Sequence, residues 1–184
     1  GLAAATYNIT VTDAKGCTST STMNVSNIAG GSATASVLNN TLCNGSCNGS
    51  ANVTVTGGSA PFTYNWSSGA MGSVATGLCA GSYTIVITDN VGCIISDGVT
   101  ITQPVSLAVS GTGGSTVCNG SCDGTATASA SGGTSPYSYL WSLGSQTSAI
   151  ATGLCATSYS ITATDANGCT AIGNVTVNQP VAVT

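Results

Sequence analysis

Histidine and arginine are absent from this 184-residue sequence, and Lys15 is its one basic side chain. Nucleic-acid binding needs lysine and arginine to displace condensed counterions, so that class is excluded. Anionic lipid surfaces and phosphate groups lack a cationic partner for the same reason. General acid–base catalysis at neutral pH loses its commonest agent, and the many serines have neither a histidine nor a second lysine to activate them. An enzyme is not expected, nor is a cofactor. Nowhere do about 18 apolar residues run together, so no membrane span is expected here. An initiator methionine and a signal peptide are also missing, which reads as an internal fragment of a longer chain.

What is present is a repeat. Ala75-Thr-Gly-Leu-Cys79 with Tyr83, Asp89 and Gly92-Cys93 returns as Ala151-Thr-Gly-Leu-Cys155 with Tyr159, Asp165 and Gly168-Cys169, an offset of 76. Upstream, Cys43-Asn-Gly-Ser-Cys47 returns as Cys118-Asn-Gly-Ser-Cys122, and the segment Gly57 to Trp66 returns as Gly132 to Trp141, both at an offset of 75. One residue is therefore inserted just after the tryptophan. Gly1-Leu2, Tyr7, Asp13 and Gly16-Cys17 repeat the second half of the unit, and Gln179-Pro180-Val181 matches Gln103-Pro104-Val105. This divides the chain into a partial C-terminal half-repeat (1–28), two full repeats (29–104 and 105–180) and the start of a further one (181–184). Tandem arrays of this kind usually serve reach and attachment rather than chemistry.

Low charge with abundant Ser, Thr, Asn and Gly often marks disorder, but hydrophobic residues are 42% of the chain. They alternate with a period of two: Ala51, Val53 and Val55; Phe62, Tyr64 and Trp66; Tyr83, Ile85 and Ile87; Val99 and Ile101. Such short β-branched or aromatic runs, bounded by Gly, Asn, Asp or Pro, predict strands with one face to bury. Gly57 to Pro61 reads as a loop, and Asp89-Asn90-Val91-Gly92 as a hairpin turn, with Asp opening it and Gly supplying positive φ. The count is six or seven strands per repeat. The expected fold class is all-β: tandem immunoglobulin-like β-sandwich repeats with disulfides. Trp66 and Trp141 could stack on sugars, but their place on the same strand face as neighbouring aromatics reads as core. Tyr83 and Tyr159 join that core, where sandwiches often set a corner tyrosine.

Nine cysteines, Cys17, Cys43, Cys47, Cys79, Cys93, Cys118, Cys122, Cys155 and Cys169, recur at fixed places in the repeat. This density in small units reads as a disulfide framework and an oxidising, extracellular setting. A four-thiolate zinc site prefers two close pairs, and each full repeat offers one. The recurring Asp13, Asp89 and Asp165 are weak calcium candidates. Calcium wants six to eight oxygens, and only Asp97 and Asp123 remain elsewhere, so turn capping is the better account. The Asn-x-Ser/Thr triplets at Asn8, Asn24, Asn52, Asn65 and Asn174 read as chance in so Asn- and Thr-rich a chain.

Taken in order, Cys-Asn-Gly-Ser-Cys, Gly-Gly-x-x-Pro-[Phe/Tyr]-x-Tyr-x-Trp-Ser, Thr-Gly-Leu-Cys-Ala-x-Ser-Tyr, Thr-Asp-x-x-Gly-Cys and Gln-Pro resemble the SprB repeat of Bacteroidetes cell-surface gliding adhesins. The resemblance covers nearly the whole chain. It implies very long secreted surface proteins, exported by a type IX system, that act as adhesive filaments. The polycystic-kidney-disease-type sandwich is a weaker match, because its aspartate- and glycine-rich segment after the tryptophan is missing. The leading fragment departs from the pattern, with Ala3 for the cysteine of Gly-Leu-Cys and Asn27-Ile28 for Gln-Pro.

Strand geometry limits the cysteine pairing. Cys79 and Cys93 bracket an extended strand of ~20 Å or more, beyond the ~7 Å Cα reach of a disulfide. Sandwich topology gathers Cys43, Cys47 and Cys79 at one end and sends Cys93 to the other. The expectation is one bond within each repeat and one between repeats, with Cys79 or one of Cys43 and Cys47 reaching Cys169. The rival folds the Cys-Asn-Gly-Ser-Cys loop across one sandwich. Three functions follow: an extracellular adhesive stalk, a filament subunit joined by strand addition through residues 1–28, or a carbohydrate-binding module. The partners are neighbouring repeats or copies of the same protein, with external surfaces or glycans beyond them.

Overall fold

The computed structural model describes residues 1–26, 30–142 and 146–183. Among them lie fourteen strands and no helix. The first full sandwich comprises β3 (Ser32–Asn39), β4 (Gly49–Thr56), β5 (Thr63–Trp66), β6 (Val74–Leu78), β7 (Gly81–Thr88) and β8 (Ile94–Ile101). One sheet has the order β3-β4-β6 and the other β5-β7-β8, with all neighbours antiparallel. The second sandwich repeats the plan: β9 (Ala108–Gly113), β10 (Gly124–Ser131) and β12 (Ile150–Leu154) form one sheet, and β11 (Ser138–Trp141), β13 (Ser158–Thr164) and β14 (Thr170–Thr176) the other. Strands one, two and four face strands three, five and six. This is the immunoglobulin-like arrangement with one edge strand fewer than the seven-stranded form.

The period of two becomes two cores. Successive side chains on a strand point to opposite faces, so Ala51 and Val53 on β4 bury against Ile85 and Ile87 on β7. Trp66, Ala75, Leu78 and Ile101 complete that core. Trp141, Ala151, Leu154, Tyr159, Ile161 and Val175 build its counterpart. Full burial of one such isoleucine is worth about 1.5–3 kcal/mol. Each tryptophan also anchors the loop after it: the indole N–H donates to Gly72 O in one repeat and to Ser148 O in the other, both at 3.0 Å. The inserted residue of the second repeat falls in this loop, of which 143–145 lie outside the described residues. The tyrosines differ. Tyr159 is 2% exposed, whereas Tyr83 lies half-buried against its core.

Small residues open each second strand for a packing reason. A Cβ on Gly49 would come within 2.7 Å of Ile101 Cγ2 and 2.9 Å of the Leu78 carbonyl oxygen. Gly124 is as tight against Val177 and Leu154 O.

The opening segment forms a hairpin of β1 (Ala5–Thr12) and β2 (Thr18–Val25) in unbroken register. It corresponds to β7 and β8 one repeat earlier, without the other sheet among the described residues. Ile9, Val11 and Met23 are accordingly 48%, 65% and 51% exposed, where Ile85 and Ile87 are buried. The departure noted at Asn27-Ile28 lies outside the described residues.

Candidate functional site

The region that ties one repeat to the next is built on the loop between β3 and β4, Cys43-Asn44-Gly45-Ser46-Cys47. The Ser46 hydroxyl donates to Cys43 O at 2.8 Å and accepts from Cys43 N–H at 3.2 Å, closing the loop on itself. Asn48 Oδ1 accepts from Leu42 N–H. In the second repeat Ser121 does the same to Cys118, and Asp123 replaces Asn48, accepting from Val117 N–H and the Ser121 hydroxyl. The Ser121 hydroxyl, then the Val117 N–H, hold the Asp123 carboxyl below its ordinary value.

This loop also grips the linker that leaves the sandwich. Asn44 Nδ2 donates to Pro104 O at 3.0 Å, and Gly45 N–H donates to Gln103 Oε1 at 2.8 Å. The second repeat forms the same pair, Asn119 Nδ2 to Pro180 O and Gly120 N–H to Gln179 Oε1. The Gln-Pro step is thus clamped to its own domain rather than swinging free, since proline fixes φ and both neighbouring groups are bonded.

A disulfide ties the same loop to the strand pair behind it: Cys47–Cys79 in the first repeat and Cys122–Cys155 in the second. Near the start of β7, the Tyr83 hydroxyl donates to Cys79 O at 3.1 Å, and near the start of β13 Tyr159 donates to Cys155 O at 2.9 Å. Tyr7 keeps the bond to Ala3 O, because the acceptor is backbone and survives loss of the cysteine. A tyrosine whose hydroxyl reaches back to the chain a few residues upstream is a corner device of immunoglobulin-type sandwiches.

At the opposite end of each sandwich is the Asp-x-x-Gly-Cys turn. Asp165 N–H donates to Cys169 O, and Gly168, at φ +81°, donates to Asp165 O. The Asp165 carboxylate accepts N–H groups from Asn167 and Cys169 on one oxygen and from Thr134, in the loop after β10, on the other. Asp89 is held the same way by Val91, Cys93 and Ser59. Burial raises both carboxyls, but these backbone donors outweigh it and leave each below its ordinary value. Asp13 accepts from Lys15 and Cys17 N–H. All three calcium candidates are thus occupied as turn caps, and no group of three or more metal-ligating side chains occurs among the described residues.

These two ends meet where the repeats join. Cys43 is bonded to Cys169 across the boundary, Cα–Cα 5.7 Å and 126 positions apart. Beside it Asn167 Nδ2 donates at 3.0 Å to Leu42 O and to Thr134 Oγ1, so one amide stitches the turn to both repeats. Cys17, Cys93 and Cys118 are unbonded and exposed. The sequence marks Cys43, Cys169 and the Asp turn; it gives no sign of Asn167, Asn44 or Gln103 as clamps, because their partners lie about 60 to 125 residues away.

The SprB repeat model matches residues 35–71 and 115–146 of this chain, the two segments that carry the Cys-Asn-Gly-Ser-Cys loop. No curated protein matches. Among solved structures, the N-terminal eight Ig domains of Down Syndrome Cell Adhesion Molecule (DSCAM) isoform 1.30.30 align over 96% of this chain at 11% identity and TM-score 0.44. The N-terminal four Ig domains of Dscam1 isoform 9.44 align over 90% at 11% identity and TM-score 0.36. This chain spans 28% and 51% of those two.

Proposed function

Because the chain carries SprB repeat segments at residues 35–71 and 115–146, we propose that it is a structural and adhesive stretch of a long secreted filament on a bacterial surface, of the kind used for attachment and gliding and exported by a type IX route. The units are residues 29–104 and 105–180, with 1–28 the closing half of a preceding one. The role is mechanical and non-catalytic: each unit holds its own core, and the units are joined by a covalent bond rather than by a flexible tether. The observation that carries this reading is the Cys43–Cys169 bond between repeats. A bond that spans two domains serves the geometry of the array and nothing inside either fold. The bond supports reading the location as oxidising and extracellular.

The sparse charge sets the expected mode of attachment. With one basic and five acidic residues, contact with a surface rests on hydroxyls, amides and apolar packing. Beads coated with the protein should hold to glass or glycan surfaces almost equally from about 0.05 to 0.5 M salt, since only exposed charge is screened there. Urea should release them. A tenfold loss of binding over that salt range, or no binding at all, would leave these repeats as spacer only.

A further inference from the structure

Four Asn-Gly steps occur in the chain, Asn44-Gly45, Asn48-Gly49, Asn119-Gly120 and Asn167-Gly168, and each lies in or beside the cysteine loop or in the Asp-capped turn. Such a step is chemically weak, because glycine has no Cβ to shield its amide nitrogen from the asparagine carboxamide beside it. All four asparagines are exposed to water. They do different work. Asn44, Asn119 and Asn167 act through Nδ2, which donates to Pro104 O, to Pro180 O, and to both Leu42 O and Thr134 Oγ1. Asn48 acts through its oxygen, accepting from Leu42 N–H and from the Ser46 hydroxyl. Its counterpart is already the acid, Asp123, with the same two kinds of donor. Position 48 suits a carboxylate; the other three hold bonds that a carboxylate cannot make.

We propose that Asn44 and Asn167 are sites of spontaneous deamidation, and that their conversion loosens the repeat junction while its disulfide stays closed. At Asn44 the Gly45 amide nitrogen attacks Cγ and forms a cyclic imide. The bond from Cγ to Nδ2 breaks, and ammonia leaves with the amide proton. Water then opens the ring at either carbonyl, giving aspartate or isoaspartate. One water is consumed and one ammonia released, with no oxidation or reduction. Asn167 reacts in the same way with Gly168.

The fold sets the pace of this reaction. Gly45 N–H is held by Gln103 Oε1 at 2.8 Å and the Asn44 carboxamide by Pro104 O, so both bonds open before the ring can close. Gly168 N–H is held by Asp165 O, and the Asn167 carboxamide by Leu42 O of the neighbouring repeat. With two ordinary hydrogen bonds to open, each step should run about tenfold or more slower than in the unfolded chain. Once formed, a carboxylate at position 44 sets acceptor against acceptor at Pro104 O and releases the Gln-Pro linker. At position 167 it does the same to Leu42 O. It also sets a second negative charge beside the Asp165 carboxylate, which accepts the N–H of that same residue. Isoaspartate in addition lengthens the main chain by a methylene between Asp165 and Cys169. Each event adds one negative charge to a chain that carries five acidic residues. The chemistry depends on these bonds alone and not on what the array attaches to.

The test ages the whole chain, its disulfides intact, in warm and mildly alkaline buffer, beside the reduced chain in urea. Each Asn-Gly peptide is followed by mass spectrometry as amide turns to acid. Asn44 and Asn167 should convert in the folded protein, more slowly than in urea. Gln103→Ala should speed Asn44 roughly fivefold, the worth of one hydrogen bond, and leave the Asn167 rate unchanged. Asn44→Asp together with Asn167→Asp should broaden the end-to-end distances seen in solution scattering, and Asn48→Asp should not. Peptide maps of Cys43–Cys169, Cys47–Cys79 and Cys122–Cys155 report the folding of every variant. Conversion confined to the urea-unfolded chain, an Asn44 rate indifferent to Gln103→Ala, or an unchanged scattering profile for the double variant would each overturn the proposal.

Discussion

Gly49 and Gly124 show how closely these small sandwiches are drawn together at a single residue. Neither is needed for a positive φ; each stands where the second strand passes under a backbone carbonyl and a core side chain. Ile101 Cγ2 can yield, but the Leu78 oxygen belongs to the neighbouring strand and cannot. Gly49→Ala should therefore cost about 1–3 kcal/mol, the usual range for overpacking, read from the urea midpoint. Gly98, whose added Cβ would meet nothing closer than Tyr83 O at 3.5 Å, is the control. Gly98→Ala should be neutral, or stabilising by up to about 1 kcal/mol through the unfolded chain. The aspartate caps give a second expectation. The folded pKa values of Asp89 and Asp165 lie below the ordinary 3.8. Their contribution is complete above that unfolded value and is lost as pH falls through the lower folded one. Thermal stability should be flat from pH 7 to about 5 and fall in stronger acid. Asp165→Asn should be less stable at pH 7 and lose less on acidification; an unchanged acid limb would remove the caps from the account.

Among the elements, the β3–β4 loop carries most of the order. One disulfide ties it to the start of β7, one backbone and one side-chain bond tie it to the linker, and a second disulfide ties it to the next repeat. Cys47→Ser with Cys79→Ser should lower stability by about 2–5 kcal/mol, as for other small domains that lose a native bond; an unchanged midpoint would make that bond ornamental. The strands, the turn and the core tryptophans were legible in the sequence because each is written in a local pattern: period two, Asp with Gly three residues on, aromatics on one face. The loop's clamps were not. Asn44 and Gln103 look like any polar residues until the fold brings them together across about 60 positions. The same holds for Gly49, whose constraint comes from Leu78 and Ile101 on other strands. Tyr83 and Tyr159 share the local frame Cys-Ala-x-Ser-Tyr-x-Ile, yet only Tyr159 is fully buried.

At the scale of the molecule, Cys43–Cys169 decides how the two sandwiches move. With the bond, the Asn167 amide and the clamped Gln103-Pro104 step, the pair has three points of attachment. Cys169→Ser should leave each sandwich folded and broaden the distribution of end-to-end distances in solution scattering. Gln103→Ala alone should do less while the bond remains. An unchanged scattering profile for Cys169→Ser would mean that the linker and amide suffice.

The same bond has a consequence for stretching. A pull on the two ends of the chain enters at Gly1, reaches Cys43, crosses the sulfurs to Cys169 and leaves by Val183. The residues between them form a closed loop spanning 126 positions that bears no tension. Ten strands, β4 to β13, lie inside that loop; only the opening hairpin, β3 and β14 lie on the taut route. At about 3.3–3.6 Å per extended residue, roughly 400 Å of contour is hidden until the sulfurs part. Single-molecule extension of the oxidised protein should yield only short increments, and the same trace with reductant should lengthen by about that amount. Reduction, rather than force, is then what sets how far the tether can reach.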